Sequence, residues 1–181
     1  MQRISILLCF LVVCFATAMQ AQAPAPKPNP EVKKLQAYVG HWTVEGEWKP
    51  GPWGPGVKIA STYDGKMTLG GFFFQGLARD KGVMQVAEYF GYDPVNKNFV
   101  ANTYMVDGTK IMWVGTASGN TFSWTGKAIA ATGEQYSIRG RDAFTADFKS
   151  LASMLERSAD GKTWVPFLEM KWTKAAAPAK K

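Results

Sequence analysis

The chain has 181 residues, with 21 basic against 14 acidic side chains, a net charge of +7 and an aromatic content of 13%. Its two cysteines, Cys9 and Cys14, lie in the first apolar run, so the rest of the chain offers no disulfide, thiol nucleophile or thiolate metal site. The positive charges are scattered rather than set in a stripe with aromatics between them, which argues against a nucleic-acid partner and for ordinary solvated surface charge.

The chain opens with Arg3, an apolar run over 4–15 and small residues up to Ala21-Gln22-Ala23. This is the pattern of an export signal over residues 1–23. Pro24 is a poor residue to cleave before, so cleavage after Ala18 or Ala21 is an alternative. The run is too short for a membrane-spanning helix, which needs about 20 apolar residues. The expected location is the bacterial periplasm or exterior, where loss of Arg3 would leave a charge of +6. Residues 24–34 read as a stiff proline-rich linker, 35–174 as one domain and 175–181 as a basic disordered tail. Lysines at both ends of the domain predict weak association with anionic surfaces.

Residues 31–37 predict a helical turn leading into the first strand. From Val39 onward, turn residues recur at short intervals: 49–56, Asp64-Gly65, Gly70-Gly71, 80–82, 93–97, Asp107-Gly108, 118–120, 131–133 and Asp160-Gly161. Between them lie runs rich in Val, Ile, Thr, Phe, Tyr and Trp, which predict short antiparallel strands. The expected fold is all-β, a single up-and-down β-barrel of about ten strands. In the first strand Tyr38, Trp42, Val44 and Trp48 alternate with His41, Thr43, Glu45 and Glu47. In the last, Trp164, Leu168, Met170 and Trp172 share a face. Two Trp-rich inner faces suit strands that meet to close a barrel and remove its edges. Gly40 and Trp42 are expected to plug one barrel end. The loop 49–56, which carries Trp53, reads either as a lid over the barrel mouth or as a stiff connection.

Several segments carry a resemblance: Lys34-Leu35, Val39-Gly40-His41-Trp42-Thr43-Val44-Glu45-Gly46, Leu69-Gly70-Gly71-Phe72-Phe73 and Gly91-Tyr92-Asp93-Pro94. Met112-Trp113-Val114-Gly115 and the closing segment 158–164 with Glu169-Met170 complete it. In this order, over residues 35–173, they resemble the bacterial lipocalin-like domain-of-unknown-function family 1579. The resemblance implies a calycin-type barrel and supplies no catalytic residues. Nitrobindins, haem-binding calycins, also open on Gly-x-Trp followed by Gly-Glu-Gly, but they ligate haem through a histidine late in the chain. The sole histidine here is His41, in the first strand, so that mode of haem binding does not carry over.

Catalytic machinery is not legible. His41 lies on the face shared with Glu45 and Glu47. No Ser-x-x-Lys or Gly-x-Ser-x-Gly occurs, and the carboxylates are dispersed or explained as turns. No cofactor or metal is expected. Glu88 stands out because it interrupts the apolar face of Met84, Val86, Phe90 and Tyr92. A carboxylate facing inward must find a partner or shift its pKa. Arg139, Arg141 and the Tyr104 and Tyr136 hydroxyls are candidate partners; a strand end open to solvent is the competing account. Glu88, Tyr104, Trp113, Trp124, Tyr136 and Arg139 form the expected ligand-binding set, with Asn102 beside Tyr104. The function this favours is non-catalytic binding of a small, largely apolar ligand in the lumen. The alternatives are a cell-envelope structural or interaction module with a filled barrel, and a cofactor-free isomerase or cyclase using Glu88 and a tyrosine.

Overall fold

The computed structural model describes residues 25–175; the expected export signal and residues 176–181 lie outside them. A 3₁₀ helix, Pro30–Tyr38, comes first, capped by the Asn29 side chain, which accepts from the Glu31 N–H at 2.9 Å. The cap and the prolines at its start let the helix begin inside the stretch expected to be linker. Ten strands follow: β1 (Gly40–Trp48), β2 (Val57–Thr68), β3 (Phe73–Asp80), β4 (Val83–Asp93), β5 (Asn98–Met105), β6 (Lys110–Ser118), β7 (Thr121–Ile129), β8 (Gln135–Phe144), β9 (Ser150–Ser158) and β10 (Val165–Lys174). Each pairs antiparallel with its sequence neighbours, and β1 pairs with β10 from Trp42 opposite Lys174 to Trp48 opposite Leu168. The expected closed, up-and-down ten-stranded barrel is the fold.

Four local expectations need correction. Asp64-Gly65 is no turn but the middle of β2, where Asp64 is held by His41 and Arg79 and Gly65 admits the ring of Phe74. Tyr38 ends the helix rather than joining the first strand. In β10 an irregularity at Phe167 buries Phe167 and Leu168 in succession. Trp164 therefore stands outside, with the Arg139 guanidinium 4.4 Å from its ring. A matching irregularity at Gln85 in β4 turns Met84 off the inner face. Such bulges change the alternation by one residue, which strand periodicity alone does not register.

The two halves of the barrel interior differ. At the end under the 3₁₀ helix, Val32, Leu35, Tyr38, Trp42, Phe74, Phe90, Phe99, Phe122 and Phe144 are buried in one cluster. Tyr38 is the hub: its ring centroid lies 4.9–5.8 Å from those of Phe74, Phe90, Phe122 and Phe144. Trp42, 1% exposed, donates its indole N–H to the Tyr38 carbonyl at 3.0 Å. Each such burial contributes roughly 1.5–3 kcal/mol. This end is a solid floor. Toward the other end the packing thins to Ile111, Ile138, Phe167 and Leu168 along the wall.

Candidate functional site

Above that floor lies a cavity of about 1100 Å³. It runs from Tyr63, Phe90 and Trp124 at the bottom to Trp48, Val57, Asp80 to Gly82, Gln85, Met105 to Asp107, and Tyr136 at the mouth. Ten strands enclose a wider bore than eight, and side chains from the wall alone do not fill it.

Two carboxylates project into this apolar space, each at the end of a directed hydrogen-bond chain. Glu88 on β4 accepts from the Tyr63 hydroxyl at 3.0 Å through Oε2 and from the Thr103 hydroxyl at 2.9 Å through Oε1. Thr103 in turn accepts from the Trp113 indole N–H at 3.0 Å. Asp142 on β8 accepts from the Tyr38 hydroxyl at 2.7 Å and the Trp124 indole N–H at 3.1 Å through Oδ2, and from the Ser153 hydroxyl at 2.6 Å through Oδ1. Indole N–H groups can only donate, so the chains point toward the carboxylates. Strand register builds the first chain: Glu88 lies opposite Thr103 on β5 and opposite Gly76 on β3. A Cβ on Gly76 would overlap the Tyr63 hydroxyl, so the missing side chain opens the path from β2 across β3 to β4.

Burial decides the titration of both acids. It pushes the Glu88 carboxyl from its ordinary 4.5 up to about 7, against the opposing pull of the Thr103 and Tyr63 hydrogen bonds, and the negative charge of Asp142 adds to the rise. Asp142 is raised by burial as well, with Ser153, Tyr38 and Trp124 resisting. The Tyr38 and Tyr63 hydroxyls are driven well up, by burial first and then by the Asp142 and Glu88 charges respectively. No ion pair among the described residues involves Glu88 or Asp142.

Of the residues the sequence singles out, Glu88, Trp113 and Trp124 line the cavity together. Tyr136 stands at the mouth, its ring 3.9 Å from the Arg157 guanidinium. Tyr104, 51% exposed, and Asn102 face outward, because the inner face of β5 carries Phe99, Ala101 and Thr103. Arg139 is also outside, paired with Glu156 at 2.5 Å, and Arg141 is exposed. The partners of Glu88 are thus Tyr63 and Thr103, in place of arginines or the Tyr104 and Tyr136 hydroxyls. Asp142, Ser153, Thr103 and Tyr63 belong to the site and lie outside the set expected from the sequence. For Asp142 the signal was present: it interrupts the face of Ile138 and Phe144 as Glu88 interrupts its own. His41 lies on the outer surface, with Nδ1 2.6 Å from Asp64. Among the described residues no group of three or more His, Cys, Asp or Glu is placed to hold a metal ion.

The loop 49–56 packs beside the mouth. Trp53 donates its N–H to the Lys49 carbonyl at 2.9 Å and meets Phe167 edge-on at 6.1 Å. Arg157 lies between Trp53 (4.8 Å) and Tyr136 (3.9 Å) and bonds Glu134 at 2.9 Å, which ties loop, β8 and β9 together.

A family model described as "Protein of unknown function (DUF1579)" matches residues 27–174. No curated protein matches the chain. Among solved structures, the crystal structure of Rv2717c from M. tuberculosis superposes with a TM-score of 0.58 at 16% identity, covering 83% of this chain and all of that one. At that identity the likeness is one of fold.

Proposed function

We propose that this chain, a member of the DUF1579 family of proteins of unknown function, binds a small, largely apolar ligand in the upper half of its barrel without transforming it. The observation that carries this reading is the cavity itself. About 1100 Å³, walled by Trp113, Trp124, Trp172, Ile138 and Leu155, is slightly more than the roughly 300–1,000 Å³ usual for small-molecule sites. The barrel divides its labour: the aromatic floor supplies stability, and the space above it takes the ligand. Binding is driven by moving apolar ligand surface out of water, roughly 25 cal/mol per Å². The carboxylates and their hydrogen-bond chains orient what enters. Export is part of the same proposal, since an exported barrel meets lipids and small metabolites of the envelope or medium; amino-terminal sequencing of the fractionated protein tests it.

Native mass spectrometry of the chain purified without denaturant is the test. A reproducible added mass that disappears on denaturation is expected. A bare polypeptide mass, persisting after exposure to total lipid and metabolite extracts, would overturn the reading.

A further inference from the structure

Among the described residues, the lumen holds two carboxylates, Glu88 and Asp142, with no basic side chain beside them. Every group that donates to Glu88 or Asp142 is neutral: three hydroxyl-bearing residues of the wall, the Tyr38 hydroxyl of the floor and the Trp124 indole. Those five bonds satisfy lone pairs but supply no positive charge. The basic residues that border the cavity stand at its rim or face outward: Lys58 pairs with Glu47 at 3.2 Å, Arg79 with Asp64 at 2.8 Å, and Lys81 lies in the turn between β3 and β4. An acid held in an apolar lumen without a cation beside it is costly.

The directions of the two chains matter here. Trp113 commits the Thr103 oxygen as an acceptor, so the Thr103 proton is turned to Glu88; Trp124 donates straight to Asp142. Both carboxyl groups are presented as acceptors, the arrangement that suits carboxylate anions. Around them the wall is aromatic, with Tyr63, Trp113, Trp124 and Trp172 all bordering the cavity. Ring faces attract cations as well as apolar groups.

We infer that the ligand carries a basic nitrogen, seated at the lumenal carboxylates Glu88 and Asp142 with its apolar part against the aromatic wall. The inference deepens the lumen-binding proposal and rests on it. An anionic ligand meets repulsion at the bottom of the cavity, and a neutral one leaves the acids unbalanced. An organic cation supplies the missing charge and donates hydrogen bonds to acceptors already aimed at it.

The experiment is a matched series, decylamine, decanol and decanoate, each below its micelle concentration, titrated at pH 7.5 against the full chain by tryptophan fluorescence and calorimetry. Decylamine is expected to bind at least about tenfold tighter than decanol, the low end of what a desolvated charge pair contributes, with decanoate weakest. Glu88→Gln and Asp142→Asn should each weaken decylamine binding more than decanol binding and so cut the amine-over-alcohol ratio, a pattern that general loss of structure does not produce. Thermal melts confirm that both variants fold, and either one alone suffices for the comparison. Equal affinity for decylamine and decanol, or a ratio unmoved by the folded variants, would overturn the inference and leave lumen binding standing. Binding of none of the three would overturn the inference, and together with a bare native mass it would overturn lumen binding too.

Discussion

Glu88 gives the sharpest handle on stability. In the folded protein its carboxyl is raised from 4.5 to about 7, with burial the largest cause. Between those values the folded state holds a proton that the unfolded state has lost. Stability therefore falls as pH rises through this window. Below about 4.5 both states are protonated and the penalty vanishes; above about 7 both are ionised and it is constant. The gap corresponds to about 3 kcal/mol at roughly 1.4 kcal/mol per pH unit. Glu88→Gln removes the titrating group and keeps an oxygen to accept from Tyr63 or Thr103. Whatever its fixed cost, the stability of the variant relative to wild type should climb by about 3 kcal/mol between pH 4.5 and pH 8, since Asp142 titrates in both proteins and largely cancels. Urea denaturation of both ligand-free proteins at half-unit pH steps measures this. For a chain of this size it equals a relative rise in Tm of about 6–12 °C. A flat difference across the window would refute the assignment of Glu88 as a buried, unpaired acid.

Other substitutions test the floor, the second carboxylate and the mouth. Trp42→Ala should cost about 3–5 kcal/mol in denaturant unfolding, because the ring is fully buried and its N–H is bonded; an unchanged midpoint would remove Trp42 from the floor. Asp142→Ala, which strands Tyr38, Trp124 and Ser153 without an acceptor, should destabilise more than Asp142→Asn by about 1–3 kcal/mol; equal unfolding free energies would count against the network. Arg157→Ala removes the cation held between Trp53 and Tyr136, side chain only 14% exposed. Amide exchange over residues 49–56 should then speed up with a stability loss of about 1 kcal/mol, whereas unchanged exchange would show that the loop is held by its own turn.

The architecture was legible because most of its turns are written in residues with a specific backbone role. Gly82, Gly108, Gly119, Gly133 and Gly161 all adopt positive φ at strand connections. The β8–β9 turn was not, because it uses neither Gly nor Pro. Thr145 and Asp147 hold it by side-chain bonds at 2.7–3.2 Å, and Phe148 takes a φ of 56°. Conversely, Asp64-Gly65 has turn composition but serves close packing inside a strand, which hid Tyr63 as an inward residue.

The site was legible in half. An acid on an apolar strand face is a readable signal, and Glu88 carried it alone among Met84, Val86, Phe90 and Tyr92. Asp142 carried it between Ile138 and Phe144, yet Arg139 and Arg141 on the opposite face of the same strand give the whole segment a polar, surface-like composition. Choosing partners for Glu88 needed the cross-strand register. Only the register shows that Thr103 rather than Tyr104 faces inward, and that Gly76 lets Tyr63 reach over.

The central claim is that the upper barrel is a ligand site, and filling it tests that claim most directly. Ala78 lies on the inner face of β3 against the cavity, beside Tyr63 and Val86. Native mass spectra of wild type and Ala78→Trp, each exposed to the same total lipid and metabolite extract, should show a bound mass on wild type alone, with both proteins folded by circular dichroism. Equal adducts on both proteins, or none on either, would contradict it.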